Sequence, residues 1–306
     1  MKNHTTDKSN KMVKTMLATI LLLGSSFYSK AQLNTFQNMY FQNKYIYNPA
    51  MAGLSKGLDF NVGYRQQWSS FEGTPKTALL TADIQATDKV GLGLNVVNEE
   101  AGLLKSTRVM ATYAYHLKLE GDNQHLSFGL SLGVNGTRVD YSNINGDGSD
   151  PEIDQYNQLK PYLDSDFGAA YSSNNLYVGA ALPNMKTTFF KSANDRFDAD
   201  RLLFVGIASY KIPVGDDQAF KLEPLVGLRI VKGHSDIIDA GANFNMDKYG
   251  LFFQTIYHSS QSLGFGLGMN QQTFGFNISY NIETGALRTY TNGTFEVGVK
   301  LKVFNR

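Results

Sequence analysis

Two stretches of this sequence carry residue types at spacings that could do chemistry. Gly129-Leu130-Ser131-Leu132-Gly133 matches G-x-S-x-G, the signature of an esterase serine held on a sharp strand-to-helix turn, with His234 and His258 as conceivable bases. Ester hydrolysis by that device needs the turn. Here Leu126, Phe128, Leu130, Leu132 and Val134 alternate without a break with Ser127, Gly129, Ser131 and Gly133, which predicts a continuous strand with Ser131 on its polar face. The second stretch places Asn143, Asn145 and Asp147 at alternate early positions, Gly148 sixth and Asp154 twelfth, as in a calcium loop. It opens on Asn and closes on Asp where such loops use Asp and Glu, so an acidic surface loop is expected, with calcium the lesser alternative. Gly264, Gly266 and Gly268 follow a strand period, not that of a phosphate loop, and predict a small-residue face approached closely by a plug or a neighbouring strand. His116, His125, His234 and His258 show no ligand spacing, and the chain has no Cys, which removes thiolate metal sites, disulfides and Cys nucleophiles. No catalytic residue, metal or cofactor is therefore expected.

The elements that would position these residues begin with an export signal. Lys2, Lys8, Lys11 and Lys14 precede an apolar run from Met16 to Gly24, and Ser29-Lys30-Ala31 supplies small residues for cleavage before Gln32. The run is about half the ~20 residues that span a bilayer as a helix. Without residues 1–31 the chain loses five Lys and one Asp and moves from a formal charge of +1 to near −3, with no basic cluster suited to nucleic acid. Gly 29, Tyr 17 and Phe 20 against Pro 7 favour twisted strands over packed helices.

Residues 32–56 have no clean period and read as an extended N-terminal arm on the periplasmic side, with turns around Asn48-Pro49 and Gly53. From residue 57 to 306 the pattern is period two. Fourteen strands are predicted, near 57–68, 75–86, 89–98, 104–119, 124–139, 165–173, 175–183, 200–213, 218–232, 236–246, 249–258, 261–269, 273–282 and 293–304, with no amphipathic helix. Many reach the ~10 residues of a tilted membrane strand, and Tyr and Phe crowd the strand ends as aromatic girdles do. The fold class expected is all-β, an antiparallel transmembrane barrel in contact with outer-membrane lipid, against the alternative of a soluble β-sandwich. Asp59, Arg65, Asp83, His116, Asp239, Gln254, Glu296 and Lys300 fall on the lumen parity, with Arg65 expected to pair with a carboxylate.

Several segments resemble the PorP/SprF family of type IX secretion system membrane proteins. Tyr45-Ile46-Tyr47-Asn48-Pro49-Ala50-Met51-Ala52-Gly53 is similar to the family's opening N-P-A-x-x-G, and Tyr64-Arg65-Gln66-Gln67-Trp68 with Phe71-Glu72-Gly73-Thr74-Pro75-Lys76-Thr77 to its Y-R-x-Q-W and G-x-P-x-T elements. Asn98-Glu99-Glu100-Ala101-Gly102, Leu182-Pro183-Asn184 and Leu222-Glu223-Pro224 continue it, while Gly293-Thr294-Phe295-Glu296 departs, with Phe295 where the family often has His. The resemblance implies an outer-membrane component of secretion and gliding. Its partners would be the periplasmic ring, peptidoglycan-linked proteins, or a secreted surface adhesin that it helps export and anchor. The candidate structural or partner-binding positions are Asn48, Pro49, Ala50, Gly53, Tyr64, Arg65, Gln67, Trp68, Gly73, Pro75 and Thr77. A porin-like channel for small solutes is the alternative, and a barrel lipase a lesser one.

Overall fold

The computed structural model describes residues 36–68, 73–120, 123–140, 151–186, 202–215, 219–232, 235–289 and 291–304. The expected signal segment lies outside them. Among the described residues the strands are β1 (Leu58–Gln67), β2 (Lys76–Thr87), β3 (Val90–Ala101), β4 (Leu104–Lys118) and β5 (His125–Val139). They continue as β6 (Tyr162–Ser172), β7 (Leu176–Leu182), β8 (Leu202–Tyr210, resuming as Ile212–Val214), β9 (Phe220–Val231) and β10 (Ile237–Met246). The last four are β11 (Leu251–His258), β12 (Ser262–Asn270), β13 (Phe274–Glu283) and β14 (Thr294–Val303). Both parts of β8 pair with β9, so they form one interrupted strand, and Pro213 in its second part donates no ladder hydrogen bond.

Every strand pairs antiparallel with its sequence neighbours, and β14 returns to β1 from Leu58↔Val303 to Gln67↔Thr294. The sheet is thus a closed barrel of fourteen strands, which removes the exposed edges an open sheet would carry into lipid. Connections 88–89, 119–124, 173–175, 215–219, 247–250 and 271–273 lie at the end where β1 starts and β14 finishes. The other end carries 68–75, 102–103, 140–161, 183–201, 232–236, 259–261 and 284–293, including the two longest. Short turns belong to the periplasmic end and long loops to the outside, so both ends of the barrel sequence are periplasmic.

Burial separates barrel from sandwich. Leu132, Val226, Leu267 and Tyr113 are among the more exposed side chains, while Thr81, Ser127, Asp239 and Glu296 are fully enclosed. A soluble sandwich would bury the first set. A lipid-facing barrel with a polar lumen requires the inverse, which is the observed arrangement. One helix was not expected: α1 (Pro151–Asn157) lies in the long β5–β6 connection and, at barely two turns, is too short to write a helical period into the sequence.

Candidate functional site: the arm in the lumen

The N-terminal arm is present, but its described part is not extended and does not hang free in the periplasm. Phe36, Met39, Tyr40, Tyr45, Tyr47, Ala50 and Ala52 are all buried, packed inside the barrel. The arm is compacted by two 3-10 turns, Lys44–Ile46 and Pro49–Met51. Asn48 precedes Pro49 and is held extended, as a residue before proline prefers, while its Oδ1 accepts the Ala50 amide at 2.9 Å. Gly53 ends the arm at φ +64, where a Cβ would also meet the Ile84 carbonyl at 2.3 Å.

Hydrogen bonds tie the arm to strands all round the wall. Near the outer end, the Gln37 and Asn38 amides donate to Glu296 Oε1 and Oε2 at 2.9 and 3.0 Å, and Arg65 Nε lies 3.1 Å from the same carboxylate. Gln254 Nε2 donates to the Asn38 carbonyl at 2.6 Å, and Asn38 Nδ2 to Asn281 Oδ1 at 3.0 Å. Tyr40 donates to Asp239 Oδ2 at 2.6 Å, a carboxylate that also takes a forked pair from Arg229 at 2.7 Å and bonds His258 Nδ1 at 2.6 Å. Each charge in this cluster is buried and partnered, the condition under which a buried ion pair is tolerated.

Midway, Asn43 Nδ2 donates to Thr81 at 3.0 Å, and Lys44 Nζ reaches Glu223 at 3.4 Å, which also accepts from Ser209. Tyr45 shares a 2.6 Å hydrogen bond with Thr112, and Thr112 a 2.7 Å one with Ser131. Asn48 Nδ2 donates to the Ala169 and Ala180 carbonyls on β6 and β7. At the periplasmic end His116 Nε2 donates to the Ala52 carbonyl at 3.0 Å, and the Gly53 amide donates to Asp83 Oδ2 at 2.8 Å. Burial pushes the Tyr40 and Tyr47 phenols well above their ordinary range, so both are protonated donors at neutral pH. Burial also lowers the Lys44 ammonium, with Glu223 opposing.

Where the arm comes closest to the wall, the wall carries glycine. A Cβ on Gly129 would meet the Pro49 carbonyl carbon at 2.2 Å, and one on Gly168 the Asn48 Oδ1 at 2.0 Å. Of the glycines expected to be approached by a plug or a neighbouring strand, a Cβ on Gly264 would meet both, with Asn38 Oδ1 of the arm and Asn281 Oδ1 of β13 each at 2.2 Å, while those on Gly266 and Gly268 would meet the neighbouring strands.

The structure gathers most of the sequence candidates here and separates others. Asn48, Pro49, Ala50 and Gly53 lie in the lumen, and Arg65, Gln67 and Thr77 point into it. Tyr64 is exposed on the outer face, one residue from Arg65 but across the strand. Trp68 leaves the ladder with φ +47, its amide donating to the Gly293 carbonyl at 2.8 Å. Gly73, at φ +72, and Pro75, whose carbonyl accepts the Gln67 amide at 3.0 Å, turn the first hairpin. Ser131 is a link in the hydroxyl chain to Tyr45 on an unbroken strand, and His258 is engaged by Asp239 and Arg229, so the nucleophile-elbow geometry is absent from this strand. His234 and the calcium candidates Asn143, Asn145 and Asp147 lie outside the described residues, and Asp154 sits on α1. The residues sequence reasoning missed are the first turn of the arm, Phe36–Tyr40. The signal that could have pointed to them is the inward glycine at Gly63, Gly264 and Gly298, which the structure places against Phe36, Asn38 and Met39.

A family model described as type IX secretion system membrane protein PorP/SprF matches residues 29–301. No curated protein matches the chain. Among solved structures, the CymD monoaromatic hydrocarbon channel is similar at TM-score 0.50 and 11% identity, over 82% of this chain and 90% of the channel. Omp33 of Acinetobacter baumannii aligns at TM-score 0.47 and 9% identity, over 82% of this chain and 100% of its own. At such identity the likeness to the channel concerns fold alone.

Proposed function

The chain belongs to the type IX secretion system membrane protein PorP/SprF family, and on that footing we propose that it is a non-enzymatic component of the secretion and gliding machinery. It is an outer-membrane barrel, and in this reading it works through protein contacts at the two mouths of a plugged lumen. Residues 1–31 act as the cleaved export signal. The periplasmic mouth meets ring and peptidoglycan-linked subunits, and the outer mouth helps to export or anchor a surface adhesin.

The observation that carries this reading is the arm. A diffusion channel depends on an open lumen, whereas here Glu296, Asp239, Gln254, Thr112, His116 and Asp83, with Glu223 on β9 and the Ala169 and Ala180 carbonyls on β6 and β7, are engaged by residues 37–53. Glu296, Asp239, Glu223 and Asp83 accept from the arm, while Arg108 pairs with Asp166 and Lys300 with Asp59 within the wall, an arrangement suited to a filled lumen. Affinity capture from native outer membrane should recover periplasmic ring subunits of type IX secretion well above a barrel control. Their consistent absence refutes the machinery role, and a large stable current from the intact protein in a planar bilayer refutes the closed lumen.

A further inference from the structure

We propose that the lumen is a binding site for polypeptide main chain and that residues 36–53 are its ligand held in cis, a segment that can leave as a unit and be replaced by a separate copy of the same peptide. The wall reads backbone at both ends of the arm. Glu296 accepts two consecutive main-chain amides, Gln254 donates to a main-chain carbonyl, His116 donates to another, and Asp83 accepts the Gly53 amide. Side chains add sequence selection along the whole arm, from Gln37 and Asn38 on Asn281 through Tyr40, Gln42, Asn43, Lys44 and Tyr45 to Asn48 on the Ala169 and Ala180 carbonyls. Gly91 and Gly129 let the ligand backbone come within reach, at Ala52 and at Pro49–Ala50.

The arm is also separable in principle. Its own backbone bonds are short-range turns, such as Asn43 to Met39, Asn48 to Lys44 and Ala52 to Pro49, and it contributes no strand to the barrel ladder. The ladder closes through β14 and β1 without it. Part of the seat is partnered within the wall itself, with Arg229, Asp239 and His258 bonded together and Lys300 on Asp59 at 2.7 Å, bonds that do not depend on the arm. Water can replace the arm against these polar groups, while its release also bares the apolar wall patch of Leu79, Val205, Ile207, Leu225 and Ile256 on which Phe36, Met39 and Tyr47 pack, so an empty seat favours rebinding of the same peptide. The inference is independent of which machinery subunits dock at the mouths.

The test uses the full chain. A specific protease site inserted at the linker 54–57, where Lys56 is exposed, allows the arm to be cut from the folded barrel in nanodiscs. Excess isotope-labelled peptide of residues 36–53 should then exchange into the barrel, read by native mass spectrometry, while a scrambled peptide does not. Release should open a current in a planar bilayer that the added peptide closes. Glu296→Gln combined with Asp83→Asn should weaken peptide binding by about tenfold or more, because both remove a charged acceptor of main-chain amides. A cut arm that never exchanges, or a barrel that loses its heat-modifiable folded form when the arm departs, makes the arm part of the fold and overturns the proposal.

Discussion

Gly129→Ala probes the contact between arm and wall directly. The new Cβ would lie 2.2 Å from the Pro49 carbonyl carbon and 2.3 Å from the Ala50 amide nitrogen. Carbon atoms rest at about 3.5–4.0 Å, so the arm must retreat by over ~1 Å. That lengthens the Asn48 bonds to Ala169 and Ala180, now 3.0 and 3.3 Å, beyond useful range. Two lost hydrogen bonds at about 1 kcal/mol each, with overpacking of about 1 kcal/mol, give roughly 3 kcal/mol against the seated arm. Since about 1.4 kcal/mol is a factor of ten, the arm should open on the order of a hundredfold more often. The chain has no Cys, so Met51→Cys, partly buried on the arm, supplies a single reporter thiol. Its labelling by an impermeant maleimide in nanodiscs then reports opening. Gly136→Ala on the same strand is the control, because its Cβ would first meet Pro161 Cγ at an ordinary 3.4 Å. Equal labelling rates in the Gly129 and Gly136 variants would refute the reasoning.

Other consequences can be checked on the same protein. Arg229→Met should destabilise the barrel by about 3–5 kcal/mol in urea titration, by stranding Asp239, and the double variant with Asp239→Leu should recover much of it. Leu132→Arg, on a lipid-facing position 59% exposed in the middle of β5, should lower folding stability in vesicles by about 2–4 kcal/mol. Ser131→Ala should cost about 1 kcal/mol through the Thr112–Tyr45 chain and leave ester hydrolysis at background, while loss of a measurable hydrolysis would restore the lipase reading. Intact mass of the purified protein should show a chain beginning at Gln32.

The strands were legible in the residues because a membrane barrel writes its rule into each of them separately. One face meets lipid and the other a polar lumen, so Leu126–Val134 or Leu263–Met269 declares itself without reference to any partner. The predicted ends agree with the structure to within a few residues for that reason, and Arg65 and Glu296 could be assigned to the lumen by parity alone. The same local logic missed what is not periodic or is too short, namely α1, the turning-away of Trp68 and the break after Tyr210. The seat of the arm was beyond it altogether. Lumen and periplasm are both polar surroundings, so composition does not distinguish a plug from a free tail. The choice is made by contacts such as Gln37 with Glu296 and Asn38 with Asn281, more than two hundred residues apart, which exist only once β14 has closed on β1 and brought the far end of the chain around the near one.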